Sequence, residues 1–452
     1  MSRHDFLKGT ILGVSGLLSH DAGAKAQAPK APSGGQSPAG FHATGGETIK
    51  LALIGCGFRG TGATAQALLT KGPVKLWAMA DLFADRLESS LKHLVQGFPA
   101  DYDREASTGL TSRVDVPPER RFVGFDAYQK AIDSGVDLVI LAAHQHFRPM
   151  HFAYAVKQGK HVFMEKPLGV DVPGIRQILS SNEEAKKKSL KVGVGLYMRY
   201  SQRVVETMAR VRDGAIGSPL KMSCYFNMAA LRDTPPRPDD MTEMMYQLRN
   251  PYHFVWLSGD YIVDALVHYF DLCLWLHGGH PATAQGQGGR QVYLPAQQGD
   301  TFDHQVVEYA FADGIRMFAQ TRQISGCWTR STAAVLGAKG TADLFGGRIE
   351  GASPWRMRGS MPNPYQVEHD VLMDAIRQDK PHNEVEHAAT ATLVGIMGRM
   401  ASYSGQMITW EQVMNSTLEL APQRYAFDAV PPVVADAQGR YPVAVPGVTK
   451  AL

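Results

Sequence analysis

The chain is poor in the features that mark several whole classes of protein. It holds four cysteines in 452 residues (Cys56, Cys224, Cys273 and Cys327), scattered and without a C-x-x-C pair. Such spacing speaks against a disulfide framework and against a zinc site, so no metal is expected. A net charge of +3 is too small to argue for nucleic acid or an anionic membrane as partner. Outside the N-terminal segment no apolar run approaches the length of a membrane span. No internal repeat is visible. What remains is a composition that is 44% hydrophobic and 20% charged, ordinary for a soluble protein and long enough for two or three domains.

The most informative stretch runs from Ile49 to Asp81. An apolar strand, Ile49–Ile54, leads into Gly55-Cys56-Gly57-Phe58-Arg59-Gly60 and a helix-like run to Thr70. After Gly72 a second apolar strand begins at Val74 and ends on Asp81. A bare G-x-G-x-x-G is weak, but a strand before it, a helix after it and an acid about twenty positions on make the context of a dinucleotide-binding βαβ unit. Gly55 permits the tight turn, Gly57 lets backbone approach a pyrophosphate, and Gly60 lets the helix pack on the sheet. The helix N-terminus offers free N–H groups to phosphate. Asp81 would accept from ribose hydroxyls and repel a 2′-phosphate, which favours NAD over NADP.

The start of the chain reads differently. A basic segment (1–9), a short apolar run from Thr10 to Leu18, and small-x-small sequences at Ala24–Ala28 make an export signal over 1–28. Ser2-Arg3-His4-Asp5-Phe6-Leu7-Lys8 resembles a twin-arginine signal with His4 in place of the second arginine, and implies a periplasmic protein. Residues 29–46, rich in Pro, Gly, Ala and Ser, read as a flexible linker.

From 47 to 197 strand and helix patterns alternate, which predicts a doubly wound parallel sheet of Rossmann type, with the ligand at the strands' carboxyl ends. Residues 96–121 read as a polar insertion. Beyond 197 alternating strands (220–227, 301–311, 315–324, 333–336) and helices (201–212, 262–276, 366–378, 387–403) predict an α+β domain, 198–430, with an open and mainly antiparallel sheet. A Pro- and Val-rich extended tail, 431–452, follows.

Two constellations fall where chemistry is expected. Lys166 stands at the end of a sheet strand before Pro167, able to reach a nicotinamide and a substrate hydroxyl. Asp264, His268 and Asp271, spaced by four and three, fall on one face of a largely apolar helix over 262–276. Buried acids and imidazoles need partners. Asp264 could hold His268 or a substrate hydroxyl, and a histidine suits proton removal during alcohol oxidation. Asp303, His304, Arg322 and Trp328 sit on or near strands that could line a sugar pocket.

Together the glycine fingerprint, Asp81, Glu165-Lys166-Pro167 and Asp264-x-x-x-His268 resemble the glucose–fructose oxidoreductase / inositol dehydrogenase (Gfo/Idh/MocA) family over about residues 47–425. The resemblance implies a catalytic set of Lys166, Asp264 and His268, with His268 as general acid/base. It implies cofactor contacts at Gly55, Gly57, Phe58, Arg59, Gly60, Asp81, Ala143, His144, His146, Glu165 and Lys166. Substrate contacts would come from Lys166, Arg199, Asp264 and His268. A homodimer or homotetramer packed through the open sheet is also implied. One departure is local: where the family commonly has Thr-Pro-Asn-x-x-His, this chain has Ala142-Ala143-His144-Gln145-His146-Phe147, so the loop histidine is Phe147 and His144 takes the cofactor side. Another is that Tyr246–Asp260 and Gly288–Gln291 resemble an exported bacterial subgroup.

The function expected is NAD-dependent hydride transfer at a hydroxyl or keto carbon of a sugar, cyclitol or glycoside, with tightly held NAD. The rivals are an NAD-dependent glycosidase working through transient oxidation, and a non-catalytic NAD- or sugar-binding protein. Related glycosidases depart from Glu-Lys-Pro, whereas this chain keeps it.

Overall fold

A computed structural model of the protein describes residues 46–97, 109–230, 237–293 and 299–450. The expected signal, nearly all of the linker and much of the expected insertion lie outside the described residues. Those that are described belong to one compact unit. Its first half contains β1 (Ile49–Ile54), α1 (Phe58–Leu69), β2 (Val74–Asp81), α2 (Ala84–Gln96), β3 (Arg121–Val123) and α3 (Ala127–Asp133). It continues with β4 (Leu138–Leu141), α4 (Arg148–Lys157), β5 (His161–Met164), α5 (Val172–Lys187), β6 (Val192–Val194) and α6 (Gln202–Arg212).

These six strands form one sheet in the order β3-β2-β1-β4-β5-β6, every pair parallel. The order reverses between β1 and β4, and that switch opens a crevice at the carboxyl ends of the strands. Because helices cover both faces, the central strands are apolar throughout; β4 reads Leu-Val-Ile-Leu and is buried at all four positions. Ala52, Ile54, Val139 and Val162 pack toward α3, α4 and α5, while Leu51, Leu53, Leu138 and Ile140 pack toward α1 and α2.

The second half begins with β7 (Pro219–Met228), α7 (Glu243–Arg249), α8 (Val255–Ser258), α9 (Tyr261–Asp264), α10 (Val267–His277) and β8 (Thr283–Gly289). Then come β9 (His304–Ala310), β10 (Arg316–Gln323), β11 (Arg330–Gly337), β12 (Gly340–Asp343), β13 (Arg348–Gly351) and β14 (Trp355–Arg356). The chain closes with α11 (Pro364–Arg377), α12 (Val385–Ser404), β15 (Ile408–Thr409) and α13 (Trp410–Asn415). The nine-stranded sheet runs β14-β13-β12-β11-β7-β10-β9-β8-β15. It is mixed rather than wholly antiparallel, since β7 and β10 pair in parallel.

Inward residues of this sheet (Met222, Cys224, Val307, Tyr309, Met317, Ala333) share one core with α10 and α12. Outward residues alternate with them, and Leu220, Val306 and Leu336 are exposed. Two departures from the sequence expectation bear on the site. Leu372, Met373 and Ile376 of α11 pack into the first sheet, so the second half of the chain completes the first. The expected continuous helix over 262–276 is two helices, α9 and α10, interrupted at Ala265-Leu266.

Candidate active site

A cavity of about 570 Å³ lies at the carboxyl ends of β1, β2 and β4. Gly55, Gly57, Phe58, Arg59, Gly60, Asp81, Ala143 and His144 all line it. The glycines act by space. A Cβ on Gly60 would stand 2.0 Å from the carbonyl oxygen of Gly55, whereas one on Gly57 would meet nothing within 4 Å. Gly60 therefore locks β1 against α1, and Gly57 leaves its side of the turn open. Asp81 accepts from Cys56 N–H at 2.6 Å through one oxygen and from Phe83 N–H at 2.9 Å through the other. Each oxygen keeps a lone pair for a further donor. Burial raises its pKa, against the two N–H bonds.

Residues 248–253 close one side of the cavity from the second half of the chain. Arg249 grips Asp85 through two bonds of 3.0 Å and lies 4.0 Å over the ring of Phe83. His144 donates from Nε2 to Leu248 O at 2.9 Å, and burial lowers its pKa to about 4. His146 does not line the cavity; it bonds Tyr425 OH at 2.7 Å. Phe147 is buried against Phe125, His151 and Tyr425, where the family pattern has a histidine.

The helix break builds the second part of the site. In an uninterrupted helix the Asp264 carbonyl would receive the His268 N–H. Here it accepts Lys166 Nζ at 2.7 Å, and Asp264 Oδ1 accepts the same ammonium at 3.3 Å. Gln145 Nε2 reaches that same Oδ1 at 2.6 Å. His268 stands beside Tyr197, ring centroids 5.0 Å apart, with Nδ1 buried and unpartnered. Burial, then the positive charges of Lys166 and Arg59, push its pKa well below 6.5. It is a neutral imidazole at physiological pH. Asp264 does not bond His268; it is held by Lys166 and Gln145, which leaves the substrate-hydroxyl option of the two that the spacing allowed. Asp260 caps the start of α9; it is a buried non-glycine at φ 73 whose carboxylate accepts from Phe302 N–H at 3.0 Å and from the hydroxyl of Tyr403.

Other candidates have partners elsewhere. Glu165 accepts from Arg59 at 2.5 Å, and Arg59 also reaches Gln66 and Glu368. Arg199 is bound to Asp271 by two bonds of 2.7 Å, so Asp271 does not join Asp264 and His268 in one constellation. Asp303 accepts three backbone N–H groups, from Gln291, Val292 and Tyr293, and pairs with half-exposed His304. Arg322 donates to Trp328 O in the connection from β10 to β11, where Trp328 is exposed. None of these four residues lines the cavity.

Residues 49–196 match the description "Oxidoreductase family, NAD-binding Rossmann fold", and residues 204–343 match "GFO/IDH/MocA C-terminal domain". The chain belongs to the GFO/IDH/MocA family. An "Inositol 2-dehydrogenase/D-chiro-inositol 3-dehydrogenase" of Lactiplantibacillus plantarum is 23% identical over 50% of this chain and 52% of its own length. A "Glycosyl hydrolase family 109 protein" of Saccharopolyspora erythraea is 25% identical over 47% of this chain and 41% of its own. The chain thus spans about half the length of these curated relatives. In structure, the aldose-aldose oxidoreductase from Caulobacter crescentus, solved with glycerol, matches with a TM-score of 0.61 at 16% identity, over 80% of this chain and 100% of that one.

The cleft fits the NAD of this GFO/IDH/MocA member on its own geometry: open space beside Gly57, the N-terminus of twelve-residue α1, and an Asp81 with spare lone pairs. Sequence reasoning missed Gln145, Arg148 and Arg249. Arg148 is buried and has no carboxylate within bonding distance among the described residues; it donates to Ala143 O at 2.9 Å and to Pro167 O, tying the cofactor loop to the Lys166 loop. Burial lowers its pKa to about 10. The signal for it was a cation beside a proline at a helix start, which sequence alone cannot distinguish from a surface residue.

Proposed function

We propose that the protein is an NAD-dependent oxidoreductase acting on a CH–OH group of a cyclitol or sugar. The observation that carries this reading is Lys166 lodged on Asp264 in the break between α9 and α10, with neutral His268 four residues on. Bound NAD supplies a hydride acceptor. His268, neutral at physiological pH, accepts a hydroxyl proton. Asp264 Oδ2, without a hydrogen-bond partner among the described residues, accepts from a neighbouring substrate hydroxyl, and Lys166 fixes the carboxylate. Inositol and aldose names among the relatives support a polyol substrate.

The test is NADH formation with myo-inositol, scyllo-inositol and a panel of aldoses. His268→Ala should lower kcat/KM by about 10²–10⁴-fold while NADH still binds. Wild-type rate should hold through neutral pH and fall in acid as His268 becomes protonated. A His268→Ala enzyme with wild-type rate contradicts the assignment.

A second reading, an NAD-dependent glycosidase, is favoured by the glycosyl hydrolase family 109 relatives. It predicts release of sugar from an N-acetylgalactosaminide with no net NADH. Retention of Glu165-Lys166-Pro167 ranks it second. Export through the N-terminal segment and self-association through the outer face of the nine-stranded sheet belong to the proposal too. A reporter fusion to residues 1–46 and light scattering in solution test them.

A further inference from the structure

In the loop after β4, between the positions where the chain departs from its family, stands Gln145, and the structure shows what it touches. Gln145 is 7% exposed, and its amide nitrogen lies 2.6 Å from Asp264 Oδ1. Its neighbour His144 lines the dinucleotide cleft, while Asp264 belongs to the far side of the site. One side chain therefore links the cofactor loop to the acid that receives substrate. We propose that Gln145 is a positioning residue: its amide orients the Asp264 carboxylate so that Oδ2 faces the substrate hydroxyl. The proposal rests on the oxidoreductase reading above.

A carboxylate on a helix end can rotate about its own side-chain torsions, and Lys166 alone holds Oδ1 only at 3.3 Å. Lys166's shorter bond goes to the backbone carbonyl and does not restrain the carboxylate. The Gln145 amide, with only N–H to offer a carboxylate at that distance, supplies the tighter restraint. Both Oδ1 donors lie on one side of the group, which leaves Oδ2 as the acceptor for substrate. The titratable and charged groups around the pair are Lys166 and Glu165 after β5, Arg148 at the start of α4, Tyr252 before α8, Tyr261 of α9 and neutral His268 of α10. Gln145 adds no charge to this set; it contributes direction. A misplacement of the order of 1 Å at such a group costs about 10²-fold in rate.

The experiment compares wild type, Gln145→Leu and Gln145→Glu in steady-state oxidation of the best polyol from the panel, with NADH affinity measured separately by fluorescence. Gln145→Leu keeps NADH affinity within about threefold, and loses about ten- to a hundredfold in kcat/KM, with KM for polyol rising. Gln145→Glu gives the sharper signature. Two carboxylates then share a proton, which raises one pKa, and the protonated acid still donates to Asp264. That variant should approach wild type near about pH 6 and descend toward the Gln145→Leu level by about pH 9, a fall that wild type lacks. Because the comparison is made within one folded variant across pH, it stands even if Gln145→Leu fails to fold.

Wild-type kcat and KM in Gln145→Leu overturn the proposal, as does a Gln145→Glu variant whose activity relative to wild type is flat with pH. A wild-type protein that binds NADH and oxidises no member of the panel sinks the oxidoreductase reading, and the Gln145 role falls with it. That failure appears in wild type and so is distinct from the other two.

Discussion

At the scale of single residues, the site is built from groups that burial has forced away from their ordinary ionisation. His144 and His146 are lowered to about 4 and His151 to about 3, chiefly by burial, and His268 is lowered too. Each would bind a proton near pH 6.5 in the unfolded chain and resists doing so when folded. The unfolded state then holds more protons as pH drops below about 6.5, so stability is full above that value and is lost as pH falls toward the lowered pKa values. For one such group the loss is about 1.4 kcal/mol per pH unit. His151 is 6% exposed, stacked on Tyr128 at 4.3 Å, with Nδ1 unpartnered. A thermal melting series from about pH 8 to about pH 4.5 should show a steady fall below about pH 6.5. His151→Phe should make that fall shallower. An unchanged slope contradicts the buried-neutral assignment.

At the scale of elements, the β1–turn–α1 unit was legible because its function is written in spacing. Glycines that must approach one another, an apolar strand and a terminal acid leave a periodic mark. The two glycines make a contrast that can be measured. Gly60→Ala drives a methyl into the Gly55 carbonyl, 2.0 Å from where its Cβ would sit, and should destabilise the fold by about 1–3 kcal/mol or more. Gly57→Ala meets nothing, so it should melt like wild type and lose only NADH affinity. Equal melting losses in both would contradict the close-packing account. The break between α9 and α10 was not legible. The run from Ile262 to Leu276 is apolar enough for one helix, and what interrupts it is a long-range ligand, Lys166, that sequence proximity cannot reveal. For the same reason Asp271 looked like a site residue: its spacing is right, but its partner is Arg199, far away in the chain. Gln145 left no sequence mark at all, since its role exists only through Asp264.

At the scale of the whole molecule, the two halves of the chain meet around one cleft. The first sheet supplies the turn, Asp81 and the His144 loop, and the second half supplies residues 248–253; Asp264, tied to Gln145 beside His144, stands outside the cavity lining, as does His268. The C-terminal stretch braces that wall. Gln247 donates to Val433 O at 2.7 Å, Tyr441 bonds Glu243 at 2.5 Å, and Phe427 packs on Phe83 and Phe125. The α/β alternation of the first half was readable from pattern, but α11 and the tail pack back onto that half, and only tertiary packing shows it. Arg249 and Asp85 clasp the wall to α2 across the mouth. An exposed pair of this kind contributes modestly, so Arg249→Ala should speed NADH release about two- to fivefold in stopped flow, more at low salt than high. Identical release rates would show that the clasp does not gate the cofactor.

The central claim is hydride transfer from a polyol carbon to NAD, assisted by His268. Its most direct measurement is mass spectrometry of the cofactor after incubating the protein with NAD and carbon-deuterated polyols. Deuterium should appear on the nicotinamide with wild type and be lost with His268→Ala. Bound NAD that never acquires deuterium from any polyol offered, while N-acetylgalactosaminides are cleaved, would contradict it and leave the glycosidase reading in its place.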